Sequence, residues 1–141
     1  MAMELVALER TNKYKVLYYE KLKYQPENLA LLAEHFDIIT LTDPSRATSE
    51  ILSEIDIIFA PLGYYCGREK IEQANNLKVI ASNTTGHSHI DVRCAEEKGV
   101  KVVTLKEQHA FLKTITPTAE LTWGLIIALT RNMFSASKSV L

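Results

Sequence analysis

Lys15 to Thr42, KVLYYEKLKYQPENLALLAEHFDIITLT, carries three elements in a row. Its first part, KVLYYE (15–20), is a β-branched and aromatic run of strand length, followed by a polar turn that reaches Pro26. From Pro26 onward Leu29, Leu32, Ala33 and Phe36 recur at i, i+3, i+4 and i+7. That spacing gathers them on one face of a helix, which is expected to pack through that face. DIITLT (37–42) is again a strand.

The alternation continues along the chain. Asp43-Pro44-Ser45 punctuates the second strand, and Ile51, Leu52 and Ile55 keep the helical spacing from Thr48. DIIFAPL (56–62) predicts a third strand, closed by Pro61 and Gly63, and a helical stretch with Ile71 and Ala74 leads to a fourth, LKVIAS (77–82). Ser88 to Lys98 predicts a helix stopped by Gly99, with Lys98 at its negative end, and Val100 to Leu105 is the fifth strand. Five short, largely unalternating apolar strands separated by helices predict an α/β fold. Parallel neighbours need crossover helices, so the expectation is a flavodoxin-like five-stranded parallel sheet with helices on both faces. Ligand-binding loops in such a sheet follow the strands, after Glu20, Thr42, Leu62, Ser82 and Leu105.

Bulk properties narrow the function classes. The chain has 141 residues, 23% of them charged, with a formal net charge of -1 and no basic run, which argues against nucleic acid as a partner. Leu121 to Leu129, the longest apolar stretch, is interrupted by Thr122 and Gly124 and falls short of the roughly 20 residues that cross a bilayer. Met1 to Arg10 contains Glu4 and Glu9 and lacks a basic leader, so a cytoplasmic location is expected. Cys66 and Cys94 form no C-x-x-C pair and are expected as free thiols. A last helix is predicted to open at Thr116-Pro117, with Glu120 in its first turn. Leu121, Trp123, Leu125, Ile126, Ile127 and Leu129 leave it almost no polar face, so it expects apolar neighbours on more than one side.

Three blocks in order and spacing carry a resemblance. LKVIASNTTGHSHID (77–91), then a helix ending in Lys98-Gly99 and the strand VKVV, then TAELTWGLIIALTRN (118–132), resemble the D-isomer-specific 2-hydroxyacid dehydrogenases. The resemblance covers essentially everything from the first strand to Asn132. It implies a substrate-binding domain that crosses through a long helix into a Rossmann domain binding NAD or NADP. The chain then divides into an N-terminal extension (1–14), the substrate domain (15–112), and the crossing helix with the start of the cofactor domain (113–141). Gly63, Gly67, Gly86, Gly99 and Gly124 make no G-x-G-x-x-G, so the cofactor domain is expected to be missing, together with the family's arginine, acidic residue and histidine. No catalytic residue is expected in this chain, and no tight cofactor binding by it.

The resemblance also implies site residues. The amides of Leu62 and Gly63 align with the loop that holds the substrate carboxylate, and Thr85 and Gly86 match residues that contact substrate beside the nicotinamide. Thr118 matches a position that contacts the cofactor in some members. Thr84 stands where a glycine is frequent in the family and Ser88 where an aspartate is, so the turn must either accept a β-branched residue or differ in conformation from the family's. Residues 106–115 are longer than the connection in many members and read either as a specificity element or as plain surface loop. His35 ends a helix, His109 lies in the long connection, and the His87-x-His89 pair lacks a third ligand, so no metal site is expected. Implied partners are a small 2-hydroxyacid or 2-oxoacid and a second copy of the chain, associating through the exposed final helix. The alternative is a free-standing regulatory or ligand-binding module of the same fold. Against a receiver, Asp56 opens the third strand instead of ending it; against a flavodoxin, Glu20-Lys21-Leu22-Lys23 is no phosphate loop.

Overall fold

The structure is a computed structural model that describes residues 13–140. Most of the expected N-terminal extension, and the segment judged not to be a secretory leader, lie outside the described residues. Two compact units divide the chain, Met1–Leu105 and Lys106–Leu141.

The first unit contains β1 (Lys15–Tyr19), α1 (Pro26–His35), β2 (Asp37–Leu41), α2 (Ser49–Ser53), β3 (Ile57–Phe59), α3 (Arg68–Gln73), β4 (Val79–Ala81), α4 (Val92–Glu97) and β5 (Lys101–Val103). All five strands are parallel, in the order β2-β1-β3-β4-β5. The α/β expectation therefore holds. Crossovers are right-handed, so the reversal of direction after β2 puts α1 on the sheet face opposite to α2, α3 and α4. It also makes the gap between β1 and β3 the point where the chain leaves in two directions, and loops after neighbouring strands splay apart there.

The core lies on the face shared with α2, α3 and α4. Leu17, Ile58 and Ile80 from the three central strands meet Leu52, Ile55, Ile71, Cys94 and Ala95, all essentially inaccessible to water. Each fully buried Leu or Ile is worth about 2 kcal/mol of apolar transfer. The opposite face is built around Tyr18, Tyr24 and Phe59, whose rings contact one another at centroid distances of 5.4 and 5.8 Å. Helix α1 buries its apolar face only in part: Leu29 and Leu32 are half-buried, Ala33 is exposed, and no α1 residue is fully buried.

Several boundaries differ from the sequence expectation, each for a local reason. Strand β3 ends at Phe59 because Pro61 has no N–H to continue a ladder, although the Ala60 amide still donates to Ala81 O at 2.8 Å. Helix α4 begins at Val92 instead of Ser88. The Asp91 carboxylate accepts the Cys94 amide at 2.9 Å and caps the helix, while Ile90 pairs with Cys66 in an isolated parallel bridge. At the base of the sheet, Asp56 accepts the Lys15 amide and the Lys78 ammonium, both at 2.9 Å, and ties β1, β3 and β4 together.

The second unit contains α5 (His109–Leu112), α6 (Pro117–Thr130) and α7 (Met133–Val140). The connection 106–115, read either as a specificity element or as plain surface loop, carries a short helix. The final helix is two: Asn132 takes φ 51° and ends α6, and its carbonyl accepts the amides of Ser135 and Ala136 to open α7. Every α6 residue except Ala128 is exposed. No helix among the described residues is long and apolar enough to cross a membrane.

Candidate functional site

Two loops at the carboxyl ends of β3 and β4 form the candidate site. The first, Pro61-Leu62-Gly63, turns on Gly63 at φ 91°, a left-handed conformation that side chains resist, and Tyr64 N closes it onto Pro61 O at 3.4 Å. Pro61 is buried while Leu62 is 68% exposed. The second, Asn83 to Gly86, is held at its centre by the Leu105 amide donating to Thr84 O at 2.9 Å. No residue from Thr84 to Gly86 has a positive φ, so the turn accepts the β-branched Thr84 without backbone strain. Among the described residues, the amides of Leu62, Gly63, Thr85 and Gly86 find no acceptor within the protein.

Gly86 is informative for a different reason from Gly63. Its backbone is available to any residue, and a Cβ there would meet nothing within 4 Å. Among the described residues, neither a positive φ nor packing requires a glycine at 86, and its missing side chain leaves the backbone open to close approach.

The two loops are joined from below. The Ser82 hydroxyl lies 3.1 Å from Ala60 O, 2.9 Å from Thr84 Oγ1 and 3.0 Å from His89 Nε2, and the Thr84 hydroxyl donates to Gly86 O at 2.6 Å. The Cys66–Ile90 bridge closes the far side, with Cys66 N donating to His89 O at 2.8 Å and Asp91 N to Cys66 O at 3.0 Å. Ser82 and His89 are both buried. In the sequence His89 stood out only as half of the His87-x-His89 pair and Ser82 only as a strand end, because their pairing arises from contacts between β3, β4 and the following turn. The structure leaves His87 exposed and buries His89. It sends the two rings to different environments, and among the described residues no group of three His, Cys, Asp or Glu could hold a metal ion.

Beside the first loop, Lys21, Asp43 and Tyr64 gather from the segments after β1, β2 and β3. Lys21 Nζ lies 2.7 Å from Asp43 Oδ2 and also bonds the Tyr64 hydroxyl, which itself donates to Asp43 at 3.3 Å. The Lys21 ammonium, with the amide and hydroxyl of Ser45, holds the Asp43 carboxyl well below the usual carboxylate range. The Lys21 charge is therefore already answered, and an anion at this mouth would rely on backbone amides. Burial pushes the Cys66 thiol up to about 11, so it is a packing group and no nucleophile.

Thr118 sits in the first turn of α6, in the second unit, where its carbonyl accepts the Thr122 hydroxyl at 2.8 Å. His109 lies in the exposed α5, and the exposed His35 ends α1 with its ring 6.5 Å from that of Phe36.

A mouth of unpaired amides on a sheet of order 2-1-3-4-5 agrees with what comparison with known proteins shows. The model of the D-isomer specific 2-hydroxyacid dehydrogenase catalytic domain matches residues 16–132. The chain belongs to that family. Among its relatives, a glyoxylate reductase of Thermococcus onnurineus is 29% identical over 133 residues, 91% of this chain and 37% of that protein. A D-3-phosphoglycerate dehydrogenase of Methanocaldococcus jannaschii is 35% identical over 91 residues, covering 64% of this chain and 16% of the relative. The PH0520 protein of Pyrococcus horikoshii superposes with a TM-score of 0.62 at 27% identity, over 91% of this chain and 37% of its own. A D-lactate dehydrogenase of Aquifex aeolicus, solved with NAD and lactic acid, has a TM-score of 0.66 at 20% identity over 89% of this chain and 36% of its own, a likeness of fold. This 2-hydroxyacid dehydrogenase domain thus spans well under half the length of each of these relatives.

Proposed function

We propose that this chain is the substrate-binding part of an oxidoreductase that transfers a hydride between a nicotinamide cofactor, NAD or NADP, and a D-2-hydroxyacid, in the direction of 2-oxoacid reduction or its reverse. The observation that carries the proposal is the set of four amides, Leu62, Gly63, Thr85 and Gly86, at the mouth of the sheet, with no acceptor among the described residues. Such donors bind a carboxylate by charge-assisted hydrogen bonds without a neighbouring cation. In this reading the substrate carboxylate rests on them, and the open face of Gly86 lets the reacting carbon approach the loop.

The described residues do not fit the phosphates of a dinucleotide. A pyrophosphate is held by amides at a helix start, yet the positive φ of Gly99 lies at a helix end, and Glu120 puts a carboxylate in the first turn of α6. When bound, the nicotinamide supplies or accepts the hydride. The contacts proposed for this chain's own residues are confined to Thr85 at the nicotinamide edge and Thr118. The domain is proposed to end at residue 112, with 113–141 leading into a cofactor domain, in a cytoplasmic enzyme. Leu121, Trp123 and Leu129, each more than 60% exposed, are proposed to meet a second copy of the chain.

The 141 residues alone are proposed to bind and orient but not to turn over, since the family's arginine, acidic residue and histidine are proposed to lie in the cofactor domain. Pure protein, NADH or NADPH and a panel of small 2-oxoacids test this by cofactor absorbance, with no turnover expected. A pyruvate titration followed in 15N-resolved spectra should move the amides of Leu62, Gly63, Thr85 and Gly86. Turnover by the pure chain, or pyruvate shifts confined to other residues, would refute the proposal.

A further inference from the structure

The buried side chains beneath the second loop form a connected set whose protons can be counted. Four contacts are present: Ser82 Oγ to Ala60 O, to Thr84 Oγ1 and to His89 Nε2, and Thr84 Oγ1 to Gly86 O. The two carbonyls only accept, so the set draws on one proton from each hydroxyl and whatever the imidazole brings. If His89 carries its proton on Nε2, three protons serve three of the four contacts. If it carries the proton on Nδ1, Ser82 must donate to Nε2, only two contacts are served, and an N–H is left buried at Nδ1, which has no partner among the described residues. An unsatisfied buried donor is costlier than a bare ring lone pair. The Nε2–H tautomer follows.

With that tautomer His89 Nε2–H donates to Ser82, the one Ser82 proton is shared between Ala60 O and Thr84 Oγ1, and Thr84 O–H donates to the Gly86 carbonyl, so the donors run in one direction from the ring to the loop. Successive hydrogen bonds in one direction polarise one another. The last acceptor belongs to the peptide between Gly86 and His87, so the chain fixes that peptide's orientation and, through it, the Gly86 side of the loop. His89 is 7% exposed, and its backbone is held by its carbonyl, which accepts the Cys66 amide at 2.8 Å.

We propose that His89 is a positioning residue for the carboxylate-binding loop, acting through Ser82 and Thr84 on the Gly86 peptide; this rests on the reading of that loop as the carboxylate site.

The test uses the full chain in three forms: wild type, His89→Phe, which keeps a flat ring without a donor, and His89→Gln, whose amide nitrogen extends about as far as Nε2. Long-range 1H–15N correlation should show the wild-type proton on Nε2; a dominant Nδ1–H form overturns the proposal. The Gly86 carbonyl 13C resonance should move upfield in His89→Phe, since Thr84 keeps its bond to that carbonyl but loses the polarising donors behind it, and return in His89→Gln. Pyruvate affinity should fall about fivefold in His89→Phe and recover in His89→Gln. A Gly86 resonance and an affinity unchanged in His89→Phe overturn the proposal, as does failure of His89→Gln to restore them. If His89→Phe does not fold, Ser82→Ala gives the same carbonyl readout. If wild type binds no pyruvate, the carboxylate reading fails, while the tautomer and the Gly86 resonance still decide the role of His89.

Discussion

Gly63 and Gly86 face the same mouth but are glycine for different physical reasons, and substitution by alanine separates them. Gly63 has φ 91°, where an L side chain costs roughly 1–2 kcal/mol. Alanine recovers about 0.4–1 kcal/mol of that by restricting the unfolded chain. Its Cβ would meet nothing within 4 Å, so no clash adds to the balance. Gly63→Ala is therefore expected to lose about 0.5–1 kcal/mol, a fall in melting temperature on the order of 3 °C. Gly86 has neither a positive φ nor a neighbour within 4 Å of a new Cβ. Only the unfolded-chain term remains, so Gly86→Ala should be neutral or more stable by up to about 1 kcal/mol. Both variants should nevertheless weaken pyruvate binding, Gly63→Ala by turning an amide and Gly86→Ala by placing a methyl where the ligand approaches. Thermal unfolding by circular dichroism and pyruvate titration of the same samples give the two numbers. If Gly86→Ala costs as much stability as Gly63→Ala, or binds pyruvate like wild type, the reading of Gly86 as a ligand-facing position is wrong.

Other outcomes follow from the same structure. Burial pushes the Asp56 carboxyl up, but the Lys15 amide and the Lys78 ammonium pull it further down, to a net position below its ordinary value. Its contribution to stability is thus full above about pH 4 and is lost as pH falls through the lowered folded value. Asp56→Asn should cost about 1–2 kcal/mol at pH 7 and flatten the acid limb of a stability-against-pH curve. An unchanged acid limb would remove Asp56 from the tie between β1, β3 and β4. Both thiols, buried at Cys66 and Cys94, should resist iodoacetamide at pH 8 in the native protein and react together on unfolding, as mass spectrometry would count. Asp91→Ala should cost about 1 kcal/mol through the lost α4 cap, measured by urea unfolding; a cost near zero would mean that the Cys66–Ile90 bridge alone starts the helix.

The sheet was legible because a run such as KVLYY is apolar without alternation, which two-sided burial demands, and because the segments between the strands carry apolar residues at helical spacing, although α1 buries its stripe only in part. Boundaries were less legible where side chains compete with helical spacing. Asp91 ends one pattern and starts another, and Asn132, by taking φ 51°, splits a helix that apolar composition alone joins to its successor. The loops after β3 and β4 could be located from strand ends, and the residues in them from the family resemblance. The chain beneath them could not, since Ser82 and His89 become a pair only when the turn of 83–88 folds back under β4. The Lys21–Asp43–Tyr64 cluster was hidden for the same reason, as it joins segments that follow three different strands.

The Cys66–Ile90 bridge gives the two site loops a property beyond their position. Each loop leaves a sheet strand at one end and is stitched to the other loop at its far end, so both are closed spans rather than free arms. Residues between the stitches, Leu62 to Tyr65 and Asn83 to Ser88, can then be exchanged or lengthened without moving the anchors. A recognition surface can diverge on such a frame while the sheet beneath it stays the same, and Thr84 and Ser88 lie inside one of those spans.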